Sequence, residues 1–130
     1  MGVDVRVCSS SSQVAAGLEL SLNDDGYYWF LHPLFERLRE QSGKYIDLYG
    51  DTVFTRDDYP RLRALLVEAD AMARKHPATC KVRVGTQLQP VKKELFRVVA
   101  RDELLKLIER FRALVDAADK TDSYIECIGD

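Results

Sequence analysis

Two aspartates, Asp47 and Asp51, bracket Tyr49 and Gly50 within the run Lys44–Phe54. Paired carboxylates are what general acid–base hydrolysis or a hard cation requires. In a strand, alternate residues share a face, so Asp47, Tyr49 and Asp51 are expected to project together while Ile46 and Leu48 enter the core. Such a pair more commonly forms a solvated rim or accepts arginine from a partner. Nothing else nearby completes a catalytic set. His32 and His76 each stand beside a proline, and neither falls in a His-Glu-x-x-His arrangement. There is no Cys-x-x-Cys pair, so the spacing rules for zinc are unmet. No serine occupies a Gly-x-Ser-x-Gly elbow, and no glycine-rich strand–helix turn is present for a nucleotide. The four serines Ser9–Ser12 lack the glycines and following lysine of a phosphate cradle. No catalytic residue, metal ligand or cofactor is therefore assigned.

Holding these residues requires a mixed set of elements. Val3, Val5 and Val7 alternate with Asp4, Arg6 and Cys8, the period of a strand with one buried face. Leu18, Leu20 and Leu22 suggest a second strand, with Gln13–Gly17 ambiguous, and Asn23-Asp24-Asp25-Gly26 is a turn signal. Tyr27, Tyr28, Trp29 and Phe30 are four consecutive aromatics, which cannot all face inward from one regular element. At least one is expected on the surface or lining a groove. Pro33 fits a first helical turn, so a helix is predicted from near His32 to Gly43, whose glycine suits the left-handed position after a helix. Trp29 lies one turn before His32, which suggests a polar contact for that histidine. Thr55-Arg56-Asp57-Asp58 resembles a capping box with Asp in place of Glu. Leu62, Leu65, Leu66, Ala69, Met72 and Ala73 then recur at helical spacing as far as Lys75. His76 is expected to cap this helix through its dipole.

Cys80, Val82 and Val84 alternate as a strand, Gly85 marks a bulge, and Leu95–Ala100 returns as the partner of a hairpin turning near Pro90. Asp102 is predicted to cap a final helix with an apolar stripe of Leu104, Leu107, Ile108, Phe111, Leu114, Val115 and Ala118. Tyr124–Ile128 reads as a last short strand. Strands at both ends with helices between them predict one α+β domain over 1–130. Its sheet would be mostly antiparallel, with three main helices packed on one face.

At 130 residues and 46% hydrophobic content, the chain can close a core without staples. No apolar run reaches the roughly 20 residues of a membrane span. The start lacks a signal-peptide pattern, so a cytoplasmic location is expected. Three cysteines (Cys8, Cys80 and Cys127) are an odd number, which suits small apolar side chains better than a disulfide framework. The net charge of −2 is split: residues 1–60 carry −5 and residues 61–130 carry +3. Neither half is strongly basic, which disfavours nucleic acid as a partner. An acidic surface that meets a basic protein fits this split better.

The run Tyr45–Phe54, the helix after it, Val84-Gly85-Thr86-Gln87 and the closing Ile128-Gly129-Asp130 resemble small bacterial proteins of unassigned function, which are similar to immunity partners of polymorphic toxins. The resemblance spans residues 27–130. It implies a short, cytosolic, acidic α+β protein without catalytic motifs, and it transfers no site residue.

The expected function is non-enzymatic binding that blocks another protein, such as a toxin, by occlusion. Asp47, Asp51, Asp57 and Asp58 would engage basic residues, and Trp29, Tyr45 and Tyr49 would serve as aromatic anchors. One alternative is a small ligand-binding or hydrolytic domain with a pocket among Trp29, His32, Tyr49 and Asp51. Another is a structural subunit dimerising through a sheet edge or helix face. The oligomeric state is not legible.

Overall fold

The computed structural model describes residues 2–9, 14–23, 25–87 and 93–129. Ser10–Gln13, Asp24 and the expected hairpin turn around Pro90 lie outside the described residues. The order is β1 (Gly2–Cys8), β2 (Val14–Asn23), α1 (Gly26–Ser42), β3 (Asp51–Phe54), a 3-10 turn (Arg56–Asp58), α2 (Tyr59–Arg74), β4 (Thr79–Gln87), β5 (Lys93–Ala100), α3 (Arg101–Lys120) and β6 (Tyr124–Gly129). This is the expected α+β fold with antiparallel strands and three main helices. No helix among the described residues is long and apolar enough to cross a membrane.

The single expected sheet is divided in two. β2-β1-β6-β3 form a four-stranded sheet, and β4-β5 pair only with each other. The cause is local. β4 and β5 satisfy one another's backbone groups as a hairpin, and Val99 on that hairpin packs onto α1 rather than extending the main sheet. An isolated hairpin is marginal in water, so this packing is what makes it tenable. The added methyl of an alanine at Gly26 would stand 2.6 Å from Val99 Cγ2, which shows how close the hairpin lies to α1.

Alternation decides the faces. Val3, Val5, Val7, Leu20, Leu22, Ile125, Cys127 and Phe54 turn toward the helices and are buried. α1 contributes Tyr28, Leu31, Leu34, Phe35 and Leu38 to this core, and α3 contributes Leu104, Ile108, Phe111, Leu114 and Val115. Each fully buried side chain of this kind contributes roughly 1.5–3 kcal/mol against exposure. Arg63 on α2 reaches Asp116 and Asp119 on α3 at 3.1 and 2.9 Å, closing the outer seam of those two helices.

Helix α1 begins well before His32. Asp25 caps it, its Oδ1 accepting from the Tyr27 and Tyr28 amides at 3.0 and 3.5 Å. The four aromatics are therefore helical and divide by face: Tyr28 and Phe30 are buried, while Tyr27 and Trp29 are half-buried. Pro33 lies inside the helix. Gly43 follows at φ 76° and donates to the Arg39 carbonyl, the expected glycine stop. Asp102 does not cap α3; it is the second residue of the helix, in the acidic first turn with Glu103. There it still opposes the positive end of the helix dipole. Lys75, not His76, is the C-cap of α2; the N–H of His76, the next residue, donates to the Ala73 carbonyl, and its ring packs edge-on against Phe30.

All three cysteines are free. Cys8 and Cys127 are buried and Cys80 is half-buried; burial, with Glu126 adding to it, pushes the Cys127 thiol up to about 12.

The end of β6 sits tightly against the loop before β3. A Cβ at Gly129 would fall 2.7 Å from the Leu48 carbonyl carbon and oxygen, both backbone atoms that cannot swing aside. Gly129→Ala is therefore expected to lower stability by about 2 kcal/mol, read as a drop in the urea midpoint. An unchanged midpoint would mean that this close approach is not a constraint.

Candidate functional site

The eight residues singled out from the sequence fall into three places. Asp47, Tyr49 and Asp51 do not share a strand face, because β3 begins only at Asp51 and residues 48–50 form a turn. Asp47 Oδ1 accepts the Tyr49 amide at 3.0 Å. This side-chain-to-backbone bond offers the chain an alternative to the strand ladder, and aspartate is prone to it. Ile46 and Leu48 are buried, as expected. Tyr49 turns out to solvent with 61% of its surface exposed. Asp51 is exposed, pairs across the sheet with Ile128, and its Oδ1 accepts the Gly129 amide at 3.2 Å. Both carboxylates thus accept backbone amides.

Asp57 and Asp58 occupy the 3-10 turn that leads into α2. Asp57 is exposed. Asp58 is not available as a docking residue, because its carboxylate is already engaged. Its Oδ2 accepts from the Thr55 amide at 2.8 Å and the Thr55 hydroxyl at 3.3 Å, and it pairs with Lys44. This is the capping box expected from Thr55–Asp58. Partial burial works against the charged form, but the Lys44 ammonium and the Thr55 donors outweigh it and hold this carboxyl below its ordinary range.

Trp29, His32 and Tyr45 form the third group. His32 Nε2 and the Tyr45 hydroxyl are 2.6 Å apart, and Glu36 Oε1 lies 3.5 Å from the same nitrogen. The Trp29 and His32 ring centres are 4.8 Å apart. Tyr45 is only half exposed, and the Arg39 guanidinium sits 5.4 Å from its ring centre. Beneath it, Tyr28 donates to the Ile46 carbonyl at 2.7 Å, and burial raises the pKa of that phenol far above its ordinary value. Tyr45 is thus part of the framework and not a free anchor. Trp29 and His32 line a cleft between α1 and β4, and neither Tyr49 nor Asp51 lines it. The four-residue pocket expected from the sequence is accordingly split.

No family model, curated protein or solved structure matches this chain. What it does must be read from its own surfaces.

One such surface was missed in the sequence. The face of the four-stranded sheet turned away from the core carries, beside the Cys8–Tyr124 pair, two cross-strand rows that run through all four strands. Ser21, Asp4, Ile128 and Asp51 form one; Glu19, Arg6, Glu126 and Val53 form the other. Four carboxylates thus stand against one guanidinium. Ser21 donates to Asp4 at 2.7 Å, and Val53 at the edge is 44% exposed. The signal was present in the alternation of residues 3–7, which sends Asp4 and Arg6 outward, but the strand order that gathers the rows was not.

The Lys44–Asp58–Thr55 contact fixes the loop that carries Tyr49. Asp58→Asn is expected to cost about 1–2 kcal/mol at neutral pH. A depressed native pKa gives stability that is fully present above the unfolded-state value of about 4 and drains as pH falls through the lower native one. Urea melts across this acid range should converge for parent and variant at low pH. Equal midpoints at pH 7 would remove the assignment.

Proposed function

We infer that this chain is a non-enzymatic binding domain of the immunity type, which neutralises a toxin with a basic surface by occluding it. The observation that carries this reading is the outward sheet face. Asp4, Glu19, Asp51 and Glu126 oppose a single Arg6 there, with Val53 exposed among them and Tyr49 exposed beside the β3 edge. A sheet face is broad and rigid, which lowers the ordering cost of docking. Clustered carboxylates speed encounter with a cationic partner and reject anionic ones. The exposed Tyr49 phenol supplies area with a polar end, the usual character of an energetic centre. Of the three expected anchors Tyr49 is the exposed one, and Asp57 is an exposed carboxylate in the turn that follows β3.

Immobilised chain should retain one stoichiometric protein from a lysate of its source. That protein should arrest growth when expressed alone and not when co-expressed with this chain. Reversing two charges together, Asp51→Lys with Glu126→Lys, should slow association roughly tenfold at low salt. Reversing Asp102 on α3, whose side chain is 83% exposed, should change it little. Absence of a stoichiometric partner, or a double reversal without effect, would sink the reading.

A further inference from the structure

The cleft between α1 and β4 lies apart from the acidic sheet face and has a construction of its own. Trp29, His32, Pro33 and Glu36 recur at i, i+3, i+4 and i+7, so they form one face of α1. The core side of the helix is occupied by Tyr28, Leu31, Phe35 and Leu38, which leaves the Trp29 face to look across at β4. There the β4–β5 register slips between Arg83 and Gly85. A bulge inserts an extra residue and re-aims the chain. Gly85 is half-buried, yet a Cβ built on it would meet no atom within 4 Å. Gly85 is one of the residues that line the cleft, whose volume is about 510 Å³. That lies within the range of roughly 300–1,000 Å³ usual for small-molecule sites.

We propose that this cleft binds a small planar organic anion, such as an aromatic carboxylate. Trp29 supplies an indole on one wall. Arg83 supplies a cation on the other; among the described residues it pairs with Glu94 at 3.6 Å, and both side chains are more than half exposed. A surface pair of that kind is weak, so a ligand carboxylate can replace Glu94 at little cost. His32 Nε2 is held by the Tyr45 hydroxyl and Glu36, which fixes the ring in the cleft wall. Glu36 also lines the cleft, but its carboxylate stands on the His32 side, so the lining favours a flat ring against Trp29 with its negative group directed to Arg83.

Trp29 is the sole tryptophan of the chain, so its emission reports on the cleft. Benzoate is the probe, with benzamide as its neutral isostere. Benzoate should quench Trp29 saturably, with a Kd on the order of 1 mM for a ligand of so few atoms. Benzamide should bind roughly three- to tenfold more weakly, a modest ratio because Arg83 is largely exposed. Glu94→Gln should tighten benzoate about twofold and Arg83→Gln should weaken it to the benzamide level. Gly85→Leu fills the cleft from a position with room for a side chain, so the far-ultraviolet spectrum and melting midpoint should be kept while quenching is lost. If Gly85→Leu does not fold, the Arg83 and Glu94 variants decide. Benzoate and benzamide binding equally, no saturable quenching, or quenching kept in folded Gly85→Leu would each overturn the proposal. None of these outcomes bears on the sheet face, so the two ideas fail separately.

Discussion

The pairing of β6 on both its sides is the contact on which the rest of the structure depends. The strand that comes last in the chain lies inside the sheet, between β1 and β3. Val5 pairs with Cys127 and Phe54 with Ile125, so the first, middle and last parts of the chain meet along six residues. Long-range closure costs entropy before it returns any contact energy. Until β6 is in place, β3 has no strand partner and the end of the Lys44–Gly50 loop lacks the bond that ties it to the sheet. The bond from the Gly129 amide to the Gly50 carbonyl, 3.0 Å, is where that dependence becomes local. The same amide lies within reach of Asp51, which couples the acidic outward face to sheet closure.

Burial then sorts the ionisable groups into two populations. Those turned toward the helices are driven to their neutral forms. The Tyr28 and Tyr59 phenols are both raised by burial, Tyr59 to about 12 with Asp119 adding to the effect, and each hydroxyl donates to a backbone carbonyl. Such groups hold loops in place: Tyr28 fixes Ile46, and Tyr59 fixes Ser123 just before β6. The charged groups are left on the outward face and the rims, where solvent and partners reach them. A sheet with helices on one side separates its residues in this way whatever its function.

Much of the framework was legible because it is encoded by short periods. Val3, Val5 and Val7 announced β1, the leucines of α2 and the stripe of α3 announced those helices, and Gly43 marked where α1 stops. The misses have physical causes. α1 starts earlier than Pro33 suggested because the Asp25 cap and the division of four aromatics between two faces sustain a helix through a proline. Asp47 and Tyr49 read as strand because their alternation is right, but a local carboxylate-to-amide bond is satisfied sooner than a distant ladder. The separation of β4–β5 from the main sheet, and the rows of carboxylates on that sheet, depend on which strands pair. No local pattern states that. For the same reason the eight candidate residues appeared as one cluster and proved to be three.

The two surfaces that emerge are built by different means, and this bears on what each can do. The sheet face is held by backbone ladders and closed by β6, so it is rigid and its charges are spaced by strand geometry. It suits a large partner that reads a fixed pattern. The cleft is made where a helix face meets a bulge in a hairpin that pairs only with itself. The hairpin is held by Val99, by the bond from the Ala100 amide to the Tyr27 hydroxyl, 3.3 Å, and by Cys80 and Val82 of β4, which pack against the core. A marginal element anchored at one end can adjust its bulge by small amounts without disturbing the core. That compliance suits a small ligand that must be enclosed, and it would be a handicap to a face whose value lies in keeping its shape.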